Sequence, residues 1–185
     1  MPIAVNGSGT ISGISTGGIS DAKAVADAAM PAGSILQVVQ TVKTDRSTIS
    51  LATNTLTSDI MTVSITPQAT SSKIFLQCSL NFICTTTGIT FTFNKAGTDI
   101  TAATGDAHGI RRRATAGQIA NAGVLQNCTA SFLDSPSTTS ATTYGVKMAH
   151  SSGGTQTISV NHNDEANLAK FAVSICTLTA MEVAG

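Results

Sequence analysis

The sequence is short of charge. Of its 185 residues, ten are Lys or Arg and ten are Asp or Glu, so charged residues make up 11% and the formal net charge is zero. A typical globular domain carries about 25% charged residues. Proteins that bind nucleic acid through phosphate contacts need a large basic surplus, so the sequence predicts no nucleic-acid partner. Long solvated helices are also disfavoured, because they would need the Glu, Lys and Arg that are scarce here.

Aromatic residues and long apolar runs are scarce as well. The chain has no Trp and one Tyr, whereas carbohydrate-binding proteins often use exposed aromatic platforms. No run approaches the ~18 apolar residues of a transmembrane helix, so we expect no membrane insertion. The first ten residues lack the basic start and the apolar stretch of a signal peptide, so we expect synthesis without export by that route.

The sequence also lacks the common catalytic and nucleotide-binding motifs. It contains no Walker A loop, no GxGxxG, no HExxH and no GxSxG. His162 lies beside Asp164 and Glu165, a grouping that could bind a metal or act in acid–base catalysis, but a polar loop between two strands explains it more simply. We therefore expect no enzyme activity, no catalytic residue, no metal site and no cofactor.

The cysteines do not form a zinc-binding pattern. None of the four belongs to a CxxC pair, and they are spread over about a hundred residues. We expect them to be reduced and to act as small buried apolar residues. They are Cys78, Cys84, Cys128 and Cys176.

From residue 35 onward, apolar and polar residues alternate with a period of two. In 73–84 the apolar residues Ile74, Leu76, Cys78, Leu80 and Phe82 share one face, which is typical of a strand with one buried side. The pattern predicts an all-β fold, an antiparallel, jelly-roll-like β-sandwich over 35–185. The predicted strands are 35–43, 60–66, 73–84, 89–95, 124–134, 142–150, 155–163 and 171–184.

The segments between these strands are predicted to be turns or loops. Residues 96–99 are expected to form the turn of a hairpin, and Ser151–Gly154 is expected to join its two flanking strands as a second hairpin. Residues 45–58 are expected to form a polar loop with room for a short strand, and 101–122 an irregular stretch.

Residues 1–34 have a different composition from the rest. Gly and Ser alternate with a few isoleucines and valines, too few to bury a core within one chain. A disordered tail is one interpretation. The other is an attachment segment that orders on other chains, with a short helix near 21–30. The residues expected to dock it on a particle are Ile3, Val5, Ile11, Ile14 and Ile19.

Arg111, Arg112 and Arg113 form the one local concentration of charge. Arginine binds carboxylates and phosphates through two parallel hydrogen bonds, so this run could contact an acidic polysaccharide, a phosphate or a neighbouring subunit. A solvated loop is the alternative.

Several stretches of the sequence have a recognisable pattern: the opening MPIAVNGSGTISGIS and, further along, ILQVVQTVKTD, SITPQATSSKIFL, FLDSPSTTSATTYGVKM and ICTLTAMEVAG. They resemble the tail-fibre-like and other virion structural proteins of marine bacteriophages, cyanophages in particular. The opening is similar to the N-terminal segments of those proteins, and the later stretches are similar to their C-terminal β-domains. The resemblance implies a virion protein, assembled in the host cytoplasm, with an N-terminal attachment segment and a β-sandwich head that is commonly a homotrimer. These motifs carry no known catalytic residue.

The resemblance leaves two positions on a particle open. One is a short homotrimeric fibre or attachment protein that contacts other virion proteins and a host surface glycan or protein. The other is a capsid decoration (cement) or head-fibre protein. An enzyme acting on host polysaccharide is a third, unsupported class, because it would need paired carboxylates in a cleft. The residues expected to pack between subunits are Phe75, Ile83, Tyr144 and Leu178.

Overall fold

The computed structural model describes residues 30–84, 88–118, 124–162 and 173–185, and the backbone of 4–5 and 11–12. The predicted all-β class is confirmed: the described chain forms antiparallel sheets and no α-helix. A helix was predicted near 21–30, and residues 21–29 of that range lie outside the described residues. Ile3, Ile14 and Ile19 lie outside them as well.

The strands match most of the predicted ranges. Four of them, at 35–43, 73–84, 89–95 and 142–150, have the predicted bounds. The strands are β1 Ala4–Val5, β2 Ile11–Ser12, β3 Ile35–Lys43, β4 Ser47–Ala52, β5 Met61–Ile65, β6 Lys73–Cys84, β7 Ile89–Lys95, β8 Thr98–Asp99, β9 Ala116–Gln118, β10 Gln126–Asp134, β11 Thr142–His150, β12 Thr155–Val160 and β13 Cys176–Val183.

The larger strands form two sheets that pack as a β-sandwich. In the six-stranded sheet, β10 pairs with one edge of β6, and the other edge pairs with β13 along its first half and with β12 at its end. β3 pairs with the far side of β13, and β4 with the far side of β12. The five-stranded sheet has the order β5-β11-β7-β8, with β9 also paired to β7. β1 and β2 pair with each other. All of these pairings are antiparallel.

The core lies between the two sheets and follows the predicted alternation. The five apolar residues of β6 expected on one face, from Ile74 to Phe82, are all buried. Phe82 in β6 meets Phe91 in β7 edge to face, with ring centroids 5.1 Å apart. Such aromatic pairs add about 0.5–1.5 kcal/mol beyond the area they bury. This contact joins the centre of one sheet to the centre of the other.

The predicted hairpin around 151–154 is wrong. β11 belongs to the five-stranded sheet and β12 to the six-stranded sheet, so the chain crosses the sandwich at this turn. The Thr53 hydroxyl holds the crossing, because it donates to the carbonyl oxygens of Ser152 at 2.5 Å and Gly154 at 2.9 Å. A short Gly-rich connection fits either a hairpin or a crossing, and the alternation of the flanking strands is the same in both.

The other hairpin forms at the predicted position, but its turn is shorter than the predicted 96–99, because Thr98–Asp99 is strand β8. β7 and β8 pair around Ala96 and Gly97, which have φ of 49° and 81°. Two successive positive φ values are the geometry of a type I′ turn, which matches the twist of the flanking strands. Two strands fall in segments that were predicted to be mainly loop: β4 within 45–58, and β9 within 101–122. The latter segment also holds a short 3-10 helix at Thr101–Ala103.

The four cysteines lie in strands as free thiols. Cys78, Cys84 and Cys176 are buried and Cys128 is half-buried, in agreement with the predicted apolar role. Burial raises the pKa of the Cys78 thiol to about 12, so this thiol stays protonated near neutral pH. In the described part of the chain, no helix has the length and apolarity needed to cross a membrane.

A buried carboxylate, a half-exposed lysine and a buried phenol tie the two sheets together near the end of β10. Tyr144 donates from its hydroxyl to Asp134 at 2.7 Å, and Lys95 contacts the same carboxylate oxygen at 2.9 Å. Burial and then the hydrogen bond to Asp134 raise the pKa of Tyr144, so the phenol remains a donor. Asp134 belongs to the six-stranded sheet and its two partners to the other.

A second buried carboxylate fixes the turn before β6. Glu182 in β13 has no exposed surface. It accepts a hydrogen bond from the Gln37 side chain at 2.5 Å and one from the Gln68 backbone N–H at 2.7 Å. Burial alone would raise the pKa of this carboxyl, but its hydrogen bonds outweigh burial and lower it. Folding therefore favours the ionised form.

We expect Glu182→Gln to lower the free energy of unfolding by about 1–3 kcal/mol at pH 7, because an amide places a donor against the donors of Gln37 and Gln68. The folded pKa of Glu182 lies below its unfolded value of about 4.3, so its contribution is full above that pH and is lost as the pH falls through the folded pKa. Urea midpoints measured at pH 7, 5 and 3 should converge for the two proteins at the lowest pH. The exposed Asp106→Asn serves as the control, and an equal gap at all three pH values would contradict the prediction.

Candidate functional site

The three arginines lie on the loop between the 3-10 helix and β9. Arg112 donates from its guanidinium to the backbone oxygen of Asn54, and Arg113 donates from Nε to that of Gly105 at 2.6 Å. The Arg111 backbone N–H donates a hydrogen bond to the backbone oxygen of His108 at 3.2 Å and forms a turn. The loop is therefore fastened at two points, while the side chain of Arg111 is exposed.

Two cavities flank Arg112. The first, of about 400 Å³, is lined by Asn54, Asp99, Thr101, Thr104, Ile110, Arg112 and Arg113. The second, of about 420 Å³, is lined by Asn54, Thr90, Ile110, Arg111, Arg112, His150 and Ser151. We call the second the arginine cavity. Asn54, Ile110 and Arg112 line both, so the two form one groove with Arg112 between them.

The two cavities differ in charge. Asp99 lines the first and lies 3.6 Å from the ammonium group of Lys147, so it has a cation of its own. The described residues that line the arginine cavity include two arginines and no carboxylate. In a chain of zero net charge, this is a local excess of two positive charges.

Two polar atoms at the arginine cavity have no hydrogen-bond partner among the described residues. His150 is buried, and its Nε2 donates to the Leu51 oxygen at 2.7 Å, which leaves Nδ1 without a partner. Arg112 Nε is also buried and without a partner. Buried polar atoms are paired in the large majority of cases, so each exception calls for an explanation.

A row of apolar side chains crosses the outer face of the six-stranded sheet. Met181 in β13 pairs with Val38 in β3 on one side and with Phe75 in β6 on the other, and Phe75 pairs with Leu133 in β10. Directly paired residues point to the same face, so these four form one line across four strands. We call it the outer apolar row. Val38 is 56% exposed and Leu133 is 43% exposed.

The residues next to the row are mainly apolar on one side and polar on the other. Val183 pairs with Ile35, which is 57% exposed, and extends the patch beyond the row; on its other side Val183 pairs with the exposed Lys73, where the patch ends. On the opposite side, the next row is polar and consists of Gln40, Thr179, Gln77 and Ser131. Contiguous exposed apolar patches on soluble proteins commonly mark sites of interaction.

The four residues expected to pack between subunits separate into two groups. Phe75 lies half-buried in the outer apolar row, where another chain can reach it. Tyr144 and Leu178 are both 0% exposed, because each points between the sheets. Ile83 is also buried within the single chain. Burial inside this chain leaves these three no surface for a neighbour.

The sequence reasoning missed Val38, Met181 and Leu133. A signal was present in β3, where Val38 and Val39 are adjacent, so that one of them must face outward in a strand. It also missed that His150 lies beside the arginines, since the two are almost forty residues apart and no local pattern joins them.

The histidine–acid grouping and the N-terminal residues are only partly described. His162 is buried and lies 3.3 Å from the Thr48 hydroxyl, whereas Asp164 and Glu165 fall outside the described residues. Within the described ranges, no three His, Cys, Asp or Glu side chains are grouped so as to hold a metal ion. Val5 and Ile11 are partners in the β1–β2 pair.

No protein-family model matches this sequence, and no curated protein matches it. Among solved structures, the fold is similar to chains in the structures of infectious bursal disease virus strains Gx and Gt. The Gx match has a TM-score of 0.40 and a sequence identity of 14%, and it covers 79% of this chain. The Gt match has a TM-score of 0.41 and a sequence identity of 13%, and it covers 80% of this chain. This chain spans 37% and 38% of the length of those chains.

Proposed function

We propose that this protein is a bacteriophage virion structural protein, a short homotrimeric fibre or attachment protein that docks to the particle through its N-terminal segment. The outer apolar row is the observation that carries the self-assembly part of this proposal. It leaves Val38, Phe75 and Leu133 open to a partner in the isolated chain. The sequence resemblance to virion proteins of marine bacteriophages supports the particle as the place of assembly.

Self-association through this row is consistent with the rest of the surface. The neighbouring polar row of Thr, Gln and Ser can form hydrogen bonds across an interface at low desolvation cost, unlike charged side chains. The absence of net charge means that copies do not repel one another strongly. Closed rotational symmetry would let the same patch on each copy contribute equally.

We propose a capsid decoration protein as the second candidate. The sequence resemblance to virion proteins of marine bacteriophages leaves this position on the particle open. The same outer apolar row would then face a neighbouring capsid subunit. No activity on host polysaccharide is proposed.

Light scattering of the purified full chain should give a mass of three chains. We expect Val38→Thr combined with Leu133→Thr to shift that mass toward one chain, because both side chains lose apolar surface in the outer apolar row. The matched control is Ile110→Thr with Val124→Thr, which changes two other exposed apolar residues away from the row. A monomeric native chain, or equal masses for both double variants, would rule out a trimer built on this row.

Removal of residues 1–29 should leave a folded head that no longer joins particles. This deletion keeps the hydrogen bonds of Gly33 and Ser34 with Ala184, which fasten the start of β3 to the end of β13. Circular dichroism would check the fold, and western blotting of purified particles would measure incorporation against the full chain. Normal incorporation of the shortened chain would show that docking does not use this segment.

The location on the particle separates the two candidates. A fibre or attachment protein is expected at a few sites on the tail, and a decoration protein in hundreds of copies over the head. Immunogold labelling or cryo-electron microscopy of particles would measure both location and copy number. Labelling spread over the head would contradict the fibre assignment and support decoration.

A further inference from the structure

The arginine cavity has the features of a binding site that is not used within the chain. We propose that it binds an oxyanion group, a phosphate, sulfate or carboxylate, carried on a larger molecule. This inference does not depend on the virion role, because it rests on the charge and the hydrogen-bond donors that line the cavity.

The arginine cavity carries positive charge without a matching carboxylate. Arg111 and Arg112 line the cavity, and no carboxylate lies among its described lining residues. The carboxylate that lines the adjoining cavity, that of Asp99, lies beside Lys147. An anion in the arginine cavity would therefore compensate charge that the chain leaves uncompensated.

The residues that line the arginine cavity also supply hydrogen-bond donors. Arg112 uses its guanidinium to hold Asn54, but its Nε has no partner. The exposed guanidinium of Arg111 can approach from the open side, and the hydroxyls of Thr90 and Ser151 also line the space. Oxyanions accept several such bonds at once, and guanidinium groups match their geometry with two parallel donors.

His150 also lines the cavity. Its ring is buried, its Nε2 donates to the Leu51 carbonyl oxygen, and its Nδ1 has no partner among the described residues. A ring nitrogen without a proton is an acceptor and does not pair with an oxyanion, so the contacts assigned to the ligand are those of Arg111, Arg112, Thr90 and Ser151.

The size of the cavity limits the ligand. A volume of about 420 Å³ is at the lower end of the range for small-molecule sites and exceeds the volume of an inorganic oxyanion. Ile110 lines the same space and is fully exposed, so it offers an apolar contact to the remainder of the ligand. This is why the oxyanion is inferred to be a substituent and not a free ion.

The test uses the full chain labelled with 15N and titrated at constant ionic strength with sodium phosphate, sulfate or acetate. The amide shifts of Arg111, Arg112 and Ser151 should change and saturate with at least one of the three, and the strongest binder identifies the oxyanion. Titration with the glucose 6-phosphate, glucose 6-sulfate or glucuronate that carries this oxyanion should then give tighter binding than the bare ion.

Arg111→Gln should weaken binding at least about tenfold, because it removes a charged donor. Its spectrum should otherwise be unchanged, since that side chain is exposed. Arg111→Lys keeps the charge but not the paired donors, so its affinity should lie between those of the native chain and Arg111→Gln. Arg46→Gln makes the same change of charge on an exposed residue outside the cavity and should bind as the native chain does. Absence of saturable shifts, or equal weakening by Arg46→Gln and Arg111→Gln, would overturn the proposal.

Discussion

The six-stranded sheet depends on the pairing of β6 with several neighbours. This strand pairs with β10 along one edge, and along the other edge with β13 in its first half and β12 at its end. Its inward residues form the middle of the core, and Phe82 carries the contact to the opposite sheet. A strand with so many partners must keep one register with all of them, because a slip of one residue would turn its whole apolar face outward.

The strands themselves could be predicted from the sequence, because the alternation of apolar and polar residues is a local property. β6 is the clearest case, with bounds and buried face both as expected. Sheet membership could not be predicted, since β11 and β12 have the same kind of pattern whether they pair or cross the sandwich. In β13, Leu178 faces the core together with the buried Glu182, so a carboxylate on the inward face obscures the alternation of that strand. The run of arginines was visible in the sequence, but its cavity was not.

Polar side chains stabilise this fold from within, because some of them are buried and hydrogen-bonded between strands. Asp134 and Glu182 are both buried acids whose partners come from distant parts of the chain. Removal of one partner of a buried carboxylate leaves the other unsatisfied, so such groups favour a single arrangement of the strands. With few charges elsewhere, the surface is left to Thr, Ser and apolar residues, which suits contact with other protein chains.

The pairing of β3 with β13 has a consequence for the order of events during synthesis. Gln37 and Glu182 lie 145 residues apart in sequence, yet they are hydrogen-bonded partners. At about 5–20 residues per second, a ribosome needs roughly 7–30 seconds to add the residues between them. Until β13 is made, β3 has no partner within its sheet, and the edge of β6 that β13 later covers is open along its first half. Nascent chains are therefore exposed to association through open strand edges until β13 is made, and shortened translation products would keep those edges.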